Sequence, residues 1–271
     1  MPPAVDILLF FFAFVFGAVI GSFLNVLVYR IPRGLDFVRG NSFCPNCEHR
    51  LGPLDLIPLV SYLALGRKCR YCHTPISPRY FIVEFICGLL AVCSWAAFML
   101  QPPLLEANRS LFADSAPVLA AVLYFLALCV LLVITRIDAE TMEIPDGLVI
   151  ALLVYGILAI VVGPETTLLS RAIGLLCISV PLLIITLIIP NAFGGGDVKL
   201  MAAAGFLLGW QGTLVAAFIG ILIGGCYGVY LMASRKKGAK EHFAFGPALC
   251  VGIAIALFFG TRLTSWYLGF F

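Results

Sequence analysis

Two short polar segments, each at the edge of a long apolar run, contain acidic side chains that could carry chemistry. Segment 191–199 has Asp197 directly after three glycines. Segment 136–146 contains the acids Asp138, Glu140, Glu143 and Asp146. Two carboxylates that meet at a low-dielectric boundary cannot both ionise easily, so they share one proton. The ionised carboxylate can then take a proton from water while the protonated one polarises a peptide carbonyl.

A simpler role is open for two of these acids. Pro145-Asp146 looks like a first helical turn, and Asp197 also stands at the start of an apolar run. Either carboxylate could therefore cap a helix N-terminus, where the helix dipole favours negative charge. The residues alone leave open which acid of segment 136–146 would be the partner of Asp197.

Four cysteines form two close pairs inside the one long polar stretch of the chain. The pairs are Cys44-Pro-Asn-Cys47 and Cys69-Arg-Tyr-Cys72, with 21 residues between them. This spacing is typical of tetrathiolate zinc, or of an Fe–S centre with the same ligands, whereas paired redox thiols are the alternative. Nearby basic residues, namely Arg50, Lys68 and Arg70, would favour the thiolate form. Four protein thiolates leave no open position for a catalytic water, so we expect a structural metal.

The composition shows what must position these residues. Of the 271 residues, 62% are hydrophobic and only 11% are charged, too few charges to cover a soluble protein of this size. Most of the surface must face lipid. No basic run interleaved with aromatic residues is present, which argues against nucleic-acid binding. Apolar stretches predict an all-α polytopic membrane protein with about eight transmembrane helices at 5–29, 80–100, 117–136, 147–163, 168–189, 198–209, 212–233 and 243–268.

The basic residues predict which side of the membrane each loop faces. With eight spans, all but three of the 17 lysines and arginines fall on the side opposite the termini. The three exceptions are Arg109, Arg171 and Arg262. The positive-inside rule makes the basic side cytoplasmic and places both termini outside. Both acidic segments and the cysteine pairs would then face the cytoplasm.

These spans divide the chain into four predicted parts. Residues 1–29 form a first transmembrane helix, and 30–79 form a small cytoplasmic, zinc-ribbon-like insert. Residues 80–116 comprise a second transmembrane helix with an external loop from Pro102 to Asp114. Residues 117–271 form a six-helix domain that would contain both acidic segments.

Six motifs, taken together in order, carry a family resemblance over about residues 17 to 250. They are Gly21-Ser-Phe-Leu-Asn-Val-Leu-Val-Tyr-Arg-Ile-Pro32, the two cysteine pairs, Ile76-Ser-Pro-Arg-Tyr-Phe-Ile-Val-Glu84, Ile137-Asp138 to Ile144-Pro145-Asp146, Gly194-Gly-Gly-Asp197-Val-Lys199 and Phe245-Gly246-Pro247. This pattern resembles the bacterial type IV prepilin peptidases, which are GxGD aspartate proteases and N-methyltransferases.

The resemblance implies roles that spacing does not. It implies that Asp138 and Asp197 are the catalytic aspartates of a protease in the bacterial inner membrane. The expected substrates are prepilins or pseudopilins with an N-terminal hydrophobic helix, cleaved after a glycine at its cytoplasmic end. A second implied activity methylates the new N-terminus with S-adenosylmethionine. The candidate residues for methyl transfer are Glu84, Gly88, Asn25 and Arg30.

Three other functions would also use some of these residues. A peptidase without methyltransferase activity would look the same around both aspartates, but such relatives tend to lack the cysteine insert. A proton-coupled transporter would use Glu84, Asp138 and Asp197 as ion relays, yet such folds usually have related halves, and here the halves are dissimilar. A scaffold whose cysteine pairs bind a partner predicts that aspartate substitutions are silent.

Overall fold

The computed structural model describes residues 3–99, 117–162, 166–189, 193–234 and 243–270. The predicted external loop 102–114, with Arg109, lies outside the described residues. So do Asn191, at the start of the second acidic segment, and the basic residues Arg235, Lys236, Lys237 and Lys240.

Helices account for the regular structure of the described ranges. They are α1 (Pro3–Arg30), α2 (Val60–Ala64), α3 (Pro78–Met99), α4 (Pro117–Thr141), α5 (Asp146–Val162), α6 (Leu168–Cys177), α7 (Ser179–Ile188), α8 (Gly195–Ala233) and α9 (Gly246–Leu268). Short 3₁₀ helices cover Ile31–Arg33 and Pro53–Leu56. The described ranges contain two isolated β-bridges and no β-strand. The predicted all-α fold is confirmed.

Each predicted span corresponds to helical residues. Six described helices or helix pairs are long and apolar enough to cross a membrane. The shorter apolar helix Asp146–Ile160 corresponds to the predicted span 147–163. Helices dominate because lipid offers no partners for backbone N–H and C=O groups, which an α-helix satisfies internally.

Helix α8 contains two predicted spans. Its 39 residues are interrupted at Gly209, whose φ of 74° and ψ of 171° are not helical. A positive φ is accessible to glycine because it lacks a Cβ. The break falls where the predicted span 198–209 ends, just before the predicted span 212–233.

One compact unit comprises Met1–Ala96. Within it, α1 and α3 approach closely through small residues on α1. A Cβ built on Gly17 would lie 2.6 Å from the Cys87 carbonyl oxygen, and one built on Gly21 would lie 2.8 Å from the Glu84 Cα. Such contacts between small residues are how helices associate in lipid, where hydrophobicity does not drive them together.

The second compact unit comprises Ala97–Phe271. Helix α8 is at its centre and contacts α5, α6, α7 and α9, while α9 also contacts α4. The buried Tyr124 hydroxyl on α4 donates a hydrogen bond of 2.7 Å to the Leu257 carbonyl on α9. Gly174 and Gly205 bring α6 and α8 into backbone contact. The boundaries of the four predicted parts of the chain are not tested by this division and stay predictions.

Arg171, one of the three basic residues assigned to the terminal side, does not lie in a loop. It lies in α6 with 0% of its surface exposed. Its guanidinium donates to the carbonyl oxygens of Gly156 (3.4 Å), Phe206 (3.2 Å), Leu207 (3.1 Å) and Ala159 (3.4 Å). The break at Gly209 leaves the carbonyls of the preceding helical turn without intrahelical donors, and Arg171 supplies them.

Replacing Arg171 with methionine should destabilise this unit. The Phe206 and Leu207 carbonyls would lose their charged donors, which should lower the free energy of unfolding by about 3 kcal/mol in total. The unfolding midpoint in detergent should then fall by about 6–12 °C. Arg136→Met is the control, because its exposed ion pair with Glu140 contributes about 0–1 kcal/mol. Equal midpoints for the two variants would contradict the capping role.

Candidate functional site

Asp138 and Asp197 meet at one end of the second unit. Asp138 lies three residues before the end of α4, and Asp197 is the third residue of α8. Their exposed fractions are 5% and 8%. The two carboxylates are close enough to interact electrostatically with each other, and both interact with the buried Cys250 thiol on α9. Residues 59 positions apart in sequence therefore form one site.

Burial distinguishes Asp138 from the other acids of segment 136–146. Glu140, Glu143 and Asp146 are exposed. Glu140 pairs with Arg136 at 3.1 Å, and Asp146 pairs with Lys199 at 2.8 Å. Exposed pairs of this kind are solvated and contribute little. Asp138 is thus the acid of this segment whose environment suits a shared proton.

The two aspartates differ in their hydrogen bonds. Asp197 Oδ2 accepts a bond of 3.3 Å from the Gly194 backbone N–H, so it caps its own helix while facing Asp138. Asp138 Oδ2 is buried and accepts no hydrogen bond of normal geometry among the described atoms, although the Gly246 backbone N–H lies close to this carboxylate. Buried polar atoms are nearly always paired, so one without a partner calls for a functional explanation. Here it is an oxygen available to a water or a peptide group.

The four cysteines converge in the first unit. The sulfur atoms of Cys44, Cys47, Cys69 and Cys72 all lie within 4.8 Å of one another. Cys44 Sγ and Cys72 Sγ are 3.8 Å apart. Tetrahedral zinc with bonds of about 2.3 Å requires sulfurs about 3.8 Å apart. The cluster fits a closed tetrathiolate site.

Both cysteine pairs have the same backbone geometry. The Cys44 N–H donates to the His49 carbonyl, and the Glu48 N–H donates to the Cys44 carbonyl. The second pair repeats both bonds from Cys69, with His73 in the place of Glu48. Glu48 and His73 also share a positive φ, at 56° and 57°. The insert therefore contains two equivalent turns that each present two sulfurs.

A cavity of about 550 Å³ lies in the first unit, and Cys44 and Cys69 of the cysteine cluster are among its lining residues. Ser22, Asn25, Arg30 and Glu84 are among the residues that line it. Glu84, 8% exposed, accepts a bond of 2.8 Å from the Leu59 backbone N–H and one from the Ser22 hydroxyl. Three of the four predicted methyl-transfer residues are thus brought together.

Comparison with known proteins gives the family. Residues 15–98 match the bacterial peptidase A24 N-terminal domain, and residues 125–229 match the type IV leader peptidase family. The chain is 33% identical over 290 residues to the prepilin leader peptidase/N-methyltransferase of Aeromonas hydrophila, covering 96% of this chain and 94% of that protein. The chain belongs to the type IV leader peptidase family. The resemblance inferred from its motifs is confirmed.

Other members of the family with the same name are similarly related. The Bacillus subtilis (strain 168) protein is 31% identical over 259 residues, covering 94% of this chain and 96% of that protein. The Pseudomonas aeruginosa protein is 31% identical over 282 residues, covering 94% and 91%. No solved structure matches the chain. Family membership and the apolar helices make it a multi-pass bacterial membrane protein.

Two of the predicted methyl-transfer residues, Arg30 and Gly88, make contacts that hold the local structure. The Arg30 guanidinium donates to the carbonyls of Asp36 (2.8 Å), Arg39 (3.3 Å) and Asn41 (3.0 Å), which holds the loop after α1. Gly88 is not among the residues lining the cavity, and it packs against the Phe14 ring. Their predicted role in methyl transfer stays a prediction.

The Cys72 thiolate is stabilised by neighbours that the sequence did not suggest. The hydroxyl and backbone N–H of Thr74, followed by the Asn46 amide, lower the pKa of Cys72 to about 5. Arg70, expected to act on the thiols, instead donates to Asp55 at 2.6 Å. This hydrogen bond holds the pKa of Asp55 below its usual value. Asp55 also accepts from the Tyr71 hydroxyl at 3.2 Å.

Asp55→Asn should weaken metal binding without removing a ligand. Asp55 holds Arg70 and Tyr71, the two residues between Cys69 and Cys72, so its loss loosens that turn. We expect zinc affinity to fall about 10-fold, as for other supporting partners of metal ligands, measured by zinc release to a chelator. Because the pKa of Asp55 is depressed, its contribution persists at neutral pH and is lost only as the pH falls below about 4. Glu48→Gln, at an exposed position of the same insert, is the control, and equal zinc release from both would contradict the role.

Two residues near the aspartates had no role in the sequence-based prediction. A Cβ on Gly246, the first residue of α9, would lie 2.6 Å from Asp138 Oδ2, so this close approach requires glycine. Ile144 lies beside Gly246 and beside Gly196. Both residues lie in motifs that the sequence shows, but neither glycine nor isoleucine has a reactive side chain that would indicate a role.

Proposed function

We propose that this chain is a membrane aspartate endopeptidase that removes the leader peptide of type IV prepilins or pseudopilins after a glycine, and that it N-methylates the new terminus. Asp138 and Asp197 are the catalytic residues. The observation that carries the proposal is the burial of these two acids beside each other, with Asp138 Oδ2 accepting no hydrogen bond of normal geometry among the described atoms.

The two aspartates act as the general base and the general acid of hydrolysis. The ionised carboxylate takes a proton from water, and the water oxygen attacks the scissile carbonyl carbon. The protonated carboxyl donates its proton to the carbonyl oxygen as the C=O double bond opens. Collapse of the tetrahedral intermediate re-forms a C=O bond and breaks the C–N bond. The leaving amine takes the proton that the first carboxylate removed from water, and the hydroxyl proton returns to the other carboxylate. The glycines before Asp197 allow an extended peptide backbone to approach closely.

Methyl transfer is assigned to the cavity of the first unit. S-adenosylmethionine supplies an electrophilic methyl group and carries a positive charge at its sulfur. The Glu84 carboxylate is a buried group able to face that charge. Asn25 Nδ2 donates to the Tyr80 carbonyl at 3.1 Å, whereas its buried Oδ1 has no partner among the described atoms. This oxygen can accept a hydrogen bond from the substrate amine and orient it.

The metal in the insert is proposed to be structural zinc bound by Cys44, Cys47, Cys69 and Cys72. A closed tetrathiolate set leaves no position for a reactant. Its contribution is to fold a polar segment that has little apolar core of its own.

The membrane orientation follows from charge. The insert and the acidic segments are placed at the cytoplasmic face of the bacterial inner membrane. One of the three basic residues that stood against this orientation, Arg171, is buried among carbonyls and therefore does not mark a loop.

One experiment tests both activities. The purified protein is incubated with a prepilin and S-adenosylmethionine that carries a labelled methyl group, and the products are examined by mass spectrometry. We expect a cleaved pilin with one labelled methyl group on its N-terminal amine. Cleavage without label would identify a peptidase lacking methyltransferase activity, and uncleaved prepilin would refute the proposal.

A further inference from the structure

Ile144 lies between the chain segments that hold the two aspartates. It belongs to the connection between α4 and α5, and its side chain reaches two glycines. A Cβ built on Gly196 would lie 2.9 Å from Ile144 Cβ, 3.2 Å from Cγ1 and 3.4 Å from Cδ1. A Cβ built on Gly246 would lie 3.3 Å from Ile144 Cδ1.

Each of these glycines adjoins one aspartate. Gly196 directly precedes Asp197 at the start of α8. Gly246 begins α9 and is in contact with the Asp138 carboxylate. The Ile144 side chain therefore touches the backbone next to both catalytic acids, although it is apolar and has no chemistry of its own.

We propose that Ile144 is a positioning residue that fixes the separation of Asp138 and Asp197. Its β-branched side chain has few rotamers and fills the space that the two glycines leave. The starts of α8 and α9 cannot move together because the side chain lies between them. Moving them apart would lose the contacts that this half-buried side chain makes with both. The inference rests on the proposed function, since it concerns the geometry of that aspartate pair.

The consequence for catalysis is large because hydrolysis depends on placement. A displacement of about 1 Å can lower a rate about 100-fold. Ile144 and Gly196 should therefore be energetically coupled, and a change that harms one should be relieved by a compensating change in the other.

A double-mutant cycle tests this coupling in the full-length protein. Gly196→Ala adds a Cβ that overlaps Ile144, and we expect kcat for leader cleavage to fall about 100-fold with KM nearly unchanged. Ile144→Gly leaves a void and should lower kcat about 10-fold. The double variant removes the overlapping Cβ, so its kcat should exceed that of Gly196→Ala about 10-fold. The control is Gly147→Ala, where a new Cβ meets nothing within 4 Å, and its kcat should be that of the wild type.

The outcomes separate this inference from the proposed function. Gly196→Ala with wild-type kcat, or a double variant no better than Gly196→Ala, overturns the role of Ile144 while leaving the aspartate pair intact. If Gly196→Ala does not insert, Ile144→Val decides, because it removes only Cδ1. A fall in its kcat of about 3-fold at constant KM and unchanged melting midpoint supports the proposal, and a wild-type kcat overturns it. Among these variants, the proposed function is tested by the asparagine variants of Asp138 and Asp197, and it fails if they still cleave.

Discussion

Replacing either Asp138 or Asp197 with asparagine is expected to lower the rate of leader cleavage by at least about 10³-fold, as for other catalytic groups that act as a unit. Asparagine has nearly the same shape but can neither accept a proton from water nor donate one to the carbonyl. The double variant should be no worse than either single variant. Cleavage of a purified prepilin in detergent or proteoliposomes provides the measurement.

Matched acids on the same segments supply the controls. Glu140→Gln lies two residues from Asp138, and Asp146→Asn breaks the exposed pair with Lys199. Both change the charge as the test variants do, and both should retain cleavage within about 2-fold because exposed pairs contribute about 0–1 kcal/mol. Melting curves would show that all variants insert and fold. Normal cleavage by either aspartate variant would contradict the catalytic role of the pair.

Glu84→Gln should abolish methylation and spare cleavage. Glutamine retains an oxygen that accepts the Leu59 N–H, so the bond that holds this side chain can persist while the negative charge is lost. Removing a single preorganised group that stabilises charge typically lowers a rate about 100-fold or more. We expect transfer of labelled methyl from S-adenosylmethionine to fall by at least that factor.

The two activities should respond separately to substitution, and matched variants test this. Glu48→Gln, an exposed glutamate in the same unit, should leave both cleavage and methylation unchanged. Asp138→Asn, supplied with a synthetic pilin that already has a free N-terminus, should still methylate it. Loss of cleavage in Glu84→Gln together with loss of methylation would show that Glu84 supports folding of the whole protein and would contradict its assignment to the methyl site.

The sequence alone determined the class of the protein and the identity of its chemical groups. The length of the apolar stretches requires helices because lipid leaves backbone groups no other partners. The two cysteine pairs predicted a shared cluster because zinc accepts few ligand spacings. The turn near Gly209 was predictable because glycine is the residue that adopts a positive φ without strain. These properties are local, so they can be read without knowing how the helices pack.

The tertiary structure decided what depends on packing. Asp138 could not be distinguished from Glu140, Glu143 or Asp146 by residue type, and its burial separates them. Arg171 is a charged residue of the kind usually found in loops, yet it donates hydrogen bonds to carbonyls of α5 and α8. Ile144 is an ordinary apolar residue until Gly196 and Gly246 meet it. Each of these roles arises from contacts between segments far apart in the chain, and a linear pattern does not specify which segments meet.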